Sequence, residues 1–201
     1  MSSAPSSCFD AAQFRGPCVV TVLYFILYYA FMVLQLSTRS AAVERARRSG
    51  RLIPQGKTFA SDVAEDHGAR MGERVFLNTL EQSGAFLVSL WMCAVFVSCA
   101  LATTLSSIAL GFRALMPVLW AHGGEGGAWN IKVEISTQPY YCMILGELGA
   151  VVMWALLDVN VADTLSPSSL AAFVIATYGA LFAVIFATGK FLHAATRGAY
   201  E

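Results

Sequence analysis

The sequence predicts an all-α integral membrane protein built as an up-and-down bundle of five spans. Of its 201 residues, 57% are hydrophobic and 13% are charged, and the mean hydropathy is +0.60. A soluble domain carries roughly 25% charged residues, and several apolar runs in this chain are long enough to cross a bilayer. The high hydropathy and the net charge of zero argue against nucleic acid as a partner.

The first predicted span follows a Ser-rich N-terminal segment, residues 1–17. It is the charge-free run CVVTVLYFILYYAFMVLQL, residues 18–36. A basic linker, residues 37–74, comes next, and its stretch AAVERARRSGR predicts a helix that extends beyond the span. Its arginines are expected to lie near the headgroups of membrane lipids.

The next three spans each contain one ionisable side chain. Span two covers residues 75–101, and a short turn, TTLSS, separates it from span three at residues 106–121. The stretch HGGEGGAW at His122–Trp129 is rich in glycine but lacks the pattern and the lysine of a phosphate loop. It predicts a flexible connection to span four, residues 139–157.

A fifth, charge-free span at residues 168–188 lies within a C-terminal segment, residues 158–201, that also holds a loop and a short tail. Eight of the thirteen Lys and Arg lie in the basic linker, and three more follow spans three and five. With five spans, these segments share one side, which the positive-inside rule makes cytosolic, or matrix or stromal in an organelle. The sequence therefore predicts a multi-pass protein of the endoplasmic reticulum or of a mitochondrial or plastid membrane.

The cysteines and histidines predict no metal site. The five cysteines form no CxxC pair, and the three histidines are far apart in the sequence. Cys93, Cys99 and Cys142 lie inside apolar spans, where cysteine packs as a small hydrophobic residue.

Polar side chains inside the spans are the main functional clue. The stretch RVFLNTLEQ places Arg74, Asn78 and Glu81 at positions i, i+4 and i+7, which share one face of a helix. Polar groups are costly in hydrocarbon and usually face a cavity or a partner. This face of span two is therefore expected to contact a ligand or another polar group.

Counting from the basic side places Glu81, Arg113 and Glu147 at a common depth, roughly 10–12 Å below the surface. Two interpretations follow. In the first, Arg113 forms a buried ion pair with Glu81 or Glu147 that fixes helix register and binds nothing. In the second, the cluster binds an anionic, peptide-like ligand, because Arg binds carboxylate bidentately while Asn and Glu bind an amide and an amine.

A family resemblance favours the second interpretation. The stretch ERVFLNTLEQSGAFLVSLW at residues 73–91 resembles the second-helix signature of the MAPEG family, the membrane-associated proteins of eicosanoid and glutathione metabolism. The signature is R-x-x-x-N-x-x-E, and the chain has all three residues in register. The resemblance extends over residues 18–157, although only the motif of span two is specific.

The resemblance implies a MAPEG-like membrane domain over those residues, to which the fifth span is an addition. It also implies a homotrimer that holds glutathione between neighbouring subunits near the cytosolic face. The implied glutathione contacts are the three signature residues and an arginine that resembles the family's third-helix arginine: Arg74, Asn78, Glu81 and Arg113.

In active relatives an arginine favours the thiolate of glutathione, which attacks an electrophile or a peroxide. The implied activity is that of a glutathione transferase or peroxidase acting on lipophilic electrophiles or lipid hydroperoxides. Arg113, Tyr140 and Tyr141 are the candidate catalytic residues.

Departures from the family pattern leave an alternative open. Met116 and Trp120 stand where the family commonly has tyrosines, and the sequence ISTQPYY before span four lacks the arginine of the synthases. The alternative is a non-catalytic MAPEG-like structural subunit of a larger membrane complex. A small transporter is a third possibility, but the sequence has no internal repeat or pair of broken helices.

Overall fold

The computed structural model describes residues 11–50, 66–122 and 131–196. Parts of four predicted segments lie outside these residues. They are most of the N-terminal segment, the middle of the basic linker, nearly all of the glycine-rich connection after span three, and the C-terminal tail.

Every regular element in the described part of the chain is helical. A 3-10 turn, Ala11–Phe14, precedes six α-helices: α1 (Arg15–Arg48), α2 (His67–Phe96), α3 (Cys99–Ala121), α4 (Ile131–Leu157), α5 (Val161–Thr164) and α6 (Pro167–Thr196). All except the short α5 are long and apolar enough to cross a membrane. The prediction of an all-α protein with five apolar helices long enough to span is confirmed. Helices suit this setting because each satisfies its own backbone hydrogen bonds away from water.

The boundary between α2 and α3 differs from the prediction. Helix α2 ends at Phe96, and Ser98 caps α3 by accepting a hydrogen bond from the backbone N–H of Leu101 at 3.3 Å. The predicted turn TTLSS is wrong, since those residues lie inside α3. Their hydroxyls can be satisfied inside a helix because each can donate to a carbonyl one turn earlier, as Thr103 does to Cys99 at 2.6 Å.

Two helices extend beyond the predicted spans. Helix α1 continues to Arg48, so the stretch after span one is helical as predicted. Helix α4 begins at Ile131, well before the predicted start of span four at Pro139. Pro139 is tolerated inside α4 although it cannot donate a backbone hydrogen bond.

Contacts between α1 and α2 run antiparallel. The hydroxyl of Tyr24, in the first half of α1, donates to the carbonyl of Thr79 at 3.2 Å. Thr38, later in α1, lies against Gly72, earlier in α2; a Cβ on that glycine would lie 2.2 Å from the threonine Oγ1. The two helices therefore run in opposite directions, as an up-and-down bundle requires.

Helix α3 packs against α1, α2 and α4 and forms the centre of the bundle with α4. Helix α6 packs mainly on α4. Its only fully buried side chain in the described residues is Val174, and most of its surface is apolar and exposed. This surface is suited to lipid.

Two glycines on α4 allow α6 to approach closely. A Cβ on Gly146 would lie 2.7 Å from Val174 Cγ1, and one on Gly149 would lie 2.1 Å from Thr177 Cγ2. Small residues of this kind allow helices to pack tightly. In a membrane the hydrophobic effect does not drive helices together, so their association depends on such close contacts. The hydroxyl of Tyr178 adds a hydrogen bond to the side-chain carbonyl of Gln138.

Outside the spans, the end of α1 is fixed to the start of α2. The guanidinium of Arg45 donates to both carboxylate oxygens of Asp66, at 2.8 and 3.1 Å. The same carboxylate caps α2 by accepting from the backbone N–H of Ala69 at 3.0 Å. One side chain thus holds the beginning of α2 and the far end of α1 together.

Gly149→Ala is expected to destabilise the protein by about 1–3 kcal/mol, because the added methyl group overlaps Thr177 and forces α6 away from α4. The measurement is the free energy of unfolding in a detergent titration. The matched control is Gly179→Ala on α6, where nothing lies within 4 Å of the added Cβ. Alanine is favoured over glycine in a helix by about 0.5–1 kcal/mol, so the control should lose no stability. Equal effects in the two variants would contradict the close contact.

Acid is expected to weaken the junction between α1 and α2. Burial raises the pKa of Asp66, but hydrogen bonds from Ala69 and Arg45 outweigh burial and hold this pKa below its usual 3.8. A lowered pKa in the folded state adds stability above the unfolded pKa, and this stability is lost as the pH falls through the folded value.

The measurement is the unfolding temperature between about pH 5 and pH 3. Asp66→Asn keeps a capping side chain but not the charge, so its unfolding temperature should fall less over this range than that of the wild type. Glu44→Gln, which alters the exposed ion pair with Arg48, is the control and should follow the wild type. An unchanged slope for Asp66→Asn would exclude this source of acid sensitivity.

Candidate functional site

The centre of the bundle contains a buried arginine. Arg113 projects from α3 and is 1% exposed. Its neighbours along α3 on the same side are apolar or small, including the buried Ala109 and Met116. A guanidinium in a membrane helix is costly, and such residues commonly mark a binding site or a path for ions.

The guanidinium of Arg113 is only partly satisfied. Its Cζ atom lies 4.0 Å from the centre of the Tyr140 ring, a cation–π contact. Its Nη1 donates to the sulfur of Met116 at 3.1 Å, and its Nε and Nη2 have no hydrogen-bond partner in the part of the chain that the structure describes. A guanidinium has five N–H donors and no acceptor. Buried donors without partners are rare, so Arg113 is equipped to bind an anion.

An aromatic layer lies beside this cation and contacts it through Tyr140. The rings of Tyr24 and Phe86 stack with centroids 4.7 Å apart, and Phe86 stacks on Tyr140 at 6.0 Å. The Tyr140 ring thus contacts both Phe86 and Arg113. Among the described residues, the buried hydroxyl of Tyr140 has no hydrogen-bond partner, whereas that of Tyr24 donates to Thr79. The layer therefore contains an unpaired hydroxyl beside a guanidinium that is only partly satisfied.

Glu147 does not belong to this cluster, which corrects the prediction of a common depth. Its carboxyl lies against Ser106 of α3, and Ser106 precedes Arg113 by seven residues, about two helical turns. Tyr140, which faces Arg113, precedes Glu147 by the same number. The depth estimate was wrong for Glu147 because α4 begins eight residues earlier than the predicted span.

The ion-pair interpretation is also wrong. Within the described residues, Arg113 forms no salt bridge with Glu81 or Glu147. Three ion pairs join described residues, and they lie at the basic end of the bundle: Arg39 with Glu73, Arg45 with Asp66 and Arg48 with Glu44. Among these residues, the charge of Arg113 therefore has no counter-ion in contact.

The three signature residues of α2 lie on its outward side. The side chains of Arg74 and Glu81 are exposed, and that of Asn78 is half-buried. None of them forms a hydrogen bond or ion pair with another described residue. The structure of the single chain thus does not bring them into contact with Arg113, and they present polar groups at the surface of a membrane helix.

Tyr141 follows Tyr140 on α4. It is half-buried, and its ring is 5.9 Å from that of Tyr140. The candidate site therefore comprises the inner cation Arg113, the two adjacent tyrosines, and the polar outer face of α2.

Three polar residues of the bundle centre were missed by the sequence analysis. Tyr24 contributes to the aromatic layer, and Ser89 and Ser106 bind Glu147. The spacing contained a signal, since Ser106 and Arg113 are seven residues apart on α3, as are Tyr140 and Glu147 on α4. Single serines and tyrosines are common in membrane helices, however, and their partners lie on other helices.

In the described part of the chain, no group of three or more His, Cys, Asp or Glu is arranged to hold a metal ion. No protein-family model, curated protein or solved structure matches this chain. Functional assignment therefore depends on the residues of the site.

Removing the hydroxyl of Tyr140 tests whether it lacks a hydrogen-bond partner in the folded protein. Tyr140→Phe removes a buried hydroxyl that has no partner, so the ligand-free protein should gain stability, by about 1 kcal/mol. Tyr24→Phe is the matched control, because it removes a hydroxyl that donates to Thr79 and should lose about 1 kcal/mol. Both free energies come from unfolding in detergent. Changes of the same sign in the two variants would contradict the difference between the hydroxyls.

Proposed function

We propose that this protein binds glutathione within the membrane, as a MAPEG-like protein, and that Arg113 receives an anionic group of the ligand. The observation that carries the proposal is the buried guanidinium of Arg113, whose Nε and Nη2 have no partner, and whose charge has no counter-ion in contact, within the described part of the chain. Two parallel N–H donors are the arrangement that binds a carboxylate most strongly.

The outer face of α2 supports a site that lies between subunits. Arg74 and Glu81 are charged and exposed on a membrane helix, where contact with lipid is unfavourable. A neighbouring copy would cover this face and enclose the ligand between subunits. Arg74, Asn78 and Glu81 would then bind the charged and amide groups of the peptide, and a homotrimer of the MAPEG type is the proposed assembly.

The chemistry proposed for the site is activation of the glutathione thiol. A positive charge close to the sulfur favours the thiolate, which is the nucleophile. Arg113 would supply that charge, and the free hydroxyl of Tyr140 could donate a hydrogen bond to the sulfur. Tyr141 is a further candidate donor. The thiolate would attack a lipophilic electrophile that enters from the bilayer and form a carbon–sulfur bond. With a lipid hydroperoxide it would instead attack the O–O bond, releasing the alcohol and leaving a sulfenic acid, which a second glutathione would convert to the disulfide and water.

A second candidate function is a non-catalytic structural subunit of a larger membrane complex. Met116, in place of a family tyrosine, supplies only a weak sulfur acceptor to Arg113. The exposed apolar surface of α6 could also pack against other subunits. In either case the proposed location is the endoplasmic reticulum or an organelle membrane, with the basic ends of the helices on the cytosolic, matrix or stromal side.

Glutathione titrated into the detergent-purified protein should bind saturably, as measured by calorimetry. Arg113→Met should weaken binding by about ten- to a hundred-fold, the effect of losing hydrogen bonds to a charged group. Arg74→Ala and Glu81→Ala should weaken it as well. Arg47→Ala is the control, because Arg47 is an exposed arginine at the end of α1, away from the site. Absence of binding by folded wild-type protein would exclude glutathione as the ligand.

The thiolate absorbance in the ultraviolet separates the two candidate functions. An increase on adding glutathione, lost in Arg113→Met, would favour the enzyme. Saturable binding without thiolate, together with stable copurification of other subunits, would favour the structural role.

A further inference from the structure

A second buried polar centre lies two turns away from Arg113. Glu147, near the middle of α4, is 0% exposed. Its Oε2 lies 2.7 Å from the hydroxyl of Ser89 on α2, and its Oε1 lies 2.6 Å from the hydroxyl of Ser106 on α3. Both serines are buried. The carboxyl group therefore joins three membrane helices through two short hydrogen bonds.

The number of hydrogen atoms available for hydrogen bonds at this centre indicates whether the carboxyl group is protonated. The hydroxyl of Ser89 has one hydrogen but two acceptors within reach, Glu147 Oε2 and the carbonyl of Phe86 at 3.1 Å. If Oε2 carries a proton, the acid donates to Ser89, and Ser89 donates to Phe86. Ser106 donates to Oε1 in either case. The protonated acid thus satisfies every group, whereas the carboxylate leaves Ser89 divided between two acceptors.

Among the described residues, no positive charge contacts Glu147. On α2, Cys93 lies one turn beyond Ser89 and is buried, and its thiol carries no charge. On α3 and α4, Arg113 and Tyr140 are two turns away, and α6 places the apolar Val174 against Gly146. Glu147 forms no salt bridge with another described residue. Burying an unpaired carboxylate in this way has a large cost in free energy. A buried carboxyl group without a counter-ion therefore takes up a proton.

From these contacts we infer that Glu147 is a proton-binding site inside the membrane, occupied by a proton that its acid group shares with Ser89. The site binds its proton independently of whether Arg113 binds glutathione. The proton is a structural ligand of the bundle, because it allows α2, α3 and α4 to meet at one carboxyl without a counter-ion. Loss of the proton would place a bare charge at this junction.

Infrared spectroscopy of the protein in lipid tests this inference. The carbonyl stretch of a protonated carboxyl is separate from the bands of carboxylates, and exposed Asp and Glu are ionised at neutral pH. We expect the wild type to show a protonated carboxyl band at neutral pH that Glu147→Gln removes. The band should shift slowly on transfer to heavy water because the group is 0% exposed.

Two further variants make the test specific. Ser106→Ala removes the donor to Oε1, so the band should move to higher wavenumber without disappearing. Glu81→Gln is the matched control, a glutamate on the exposed side of α2, and it should leave the Glu147 band in place. If Glu147→Gln folds but its spectrum at neutral pH loses only carboxylate absorbance, Glu147 is ionised and the inference is overturned. A band unaffected by Ser106→Ala would likewise contradict the proposed hydrogen bonding.

Discussion

The carboxyl of Glu147 forms hydrogen bonds with serine hydroxyls of two other helices. The register of the bundle centre depends on these two contacts. A polar group in hydrocarbon cannot form hydrogen bonds with water, so its partners must come from the protein. Once Ser89 and Ser106 meet Glu147, the positions of α2 and α3 along α4 are set. Two turns further along α3 and α4, the same register brings Arg113 beside Tyr140.

The two buried polar centres differ in how completely their groups are paired. Both oxygens of Glu147 have short hydrogen bonds, while two nitrogens of Arg113 and the hydroxyl of Tyr140 have none. A satisfied network stabilises one arrangement of helices. Unsatisfied buried donors cost stability, and proteins tolerate this cost mainly at functional sites. The contrast makes Glu147 a structural centre and Arg113 the stronger candidate for ligand binding.

The outer surface of the bundle also has an apolar part and a charged part. Helix α6 presents apolar side chains over most of its length, a composition that lipid can solvate. The outward face of α2 carries exposed charged residues at its basic end, including Arg74 and Glu81. In hydrocarbon such groups need a partner or a path to water. The same chain therefore offers one surface to lipid and another that is better suited to a polar ligand or a second subunit.

The sequence alone determined the class of fold, because long apolar runs and the one-sided distribution of Lys and Arg are properties of the chain itself. Five apolar helices and the extension of α1 to Arg48 follow from local composition. Helix ends were less accurate: the TTLSS turn was predicted from polar residues, whose hydroxyls in fact bond within α3.

Which polar groups meet was decided only by the tertiary structure. Depth estimated from span ends placed Glu147 beside Arg113, but α4 starts early, and Glu147 and Arg113 lie two turns apart. Ser89, Ser106 and Tyr24 gained their roles from partners distant in sequence. A single sequence reports how polar each position is. The choice of partner depends on the register between helices, which packing and hydrogen bonding fix together.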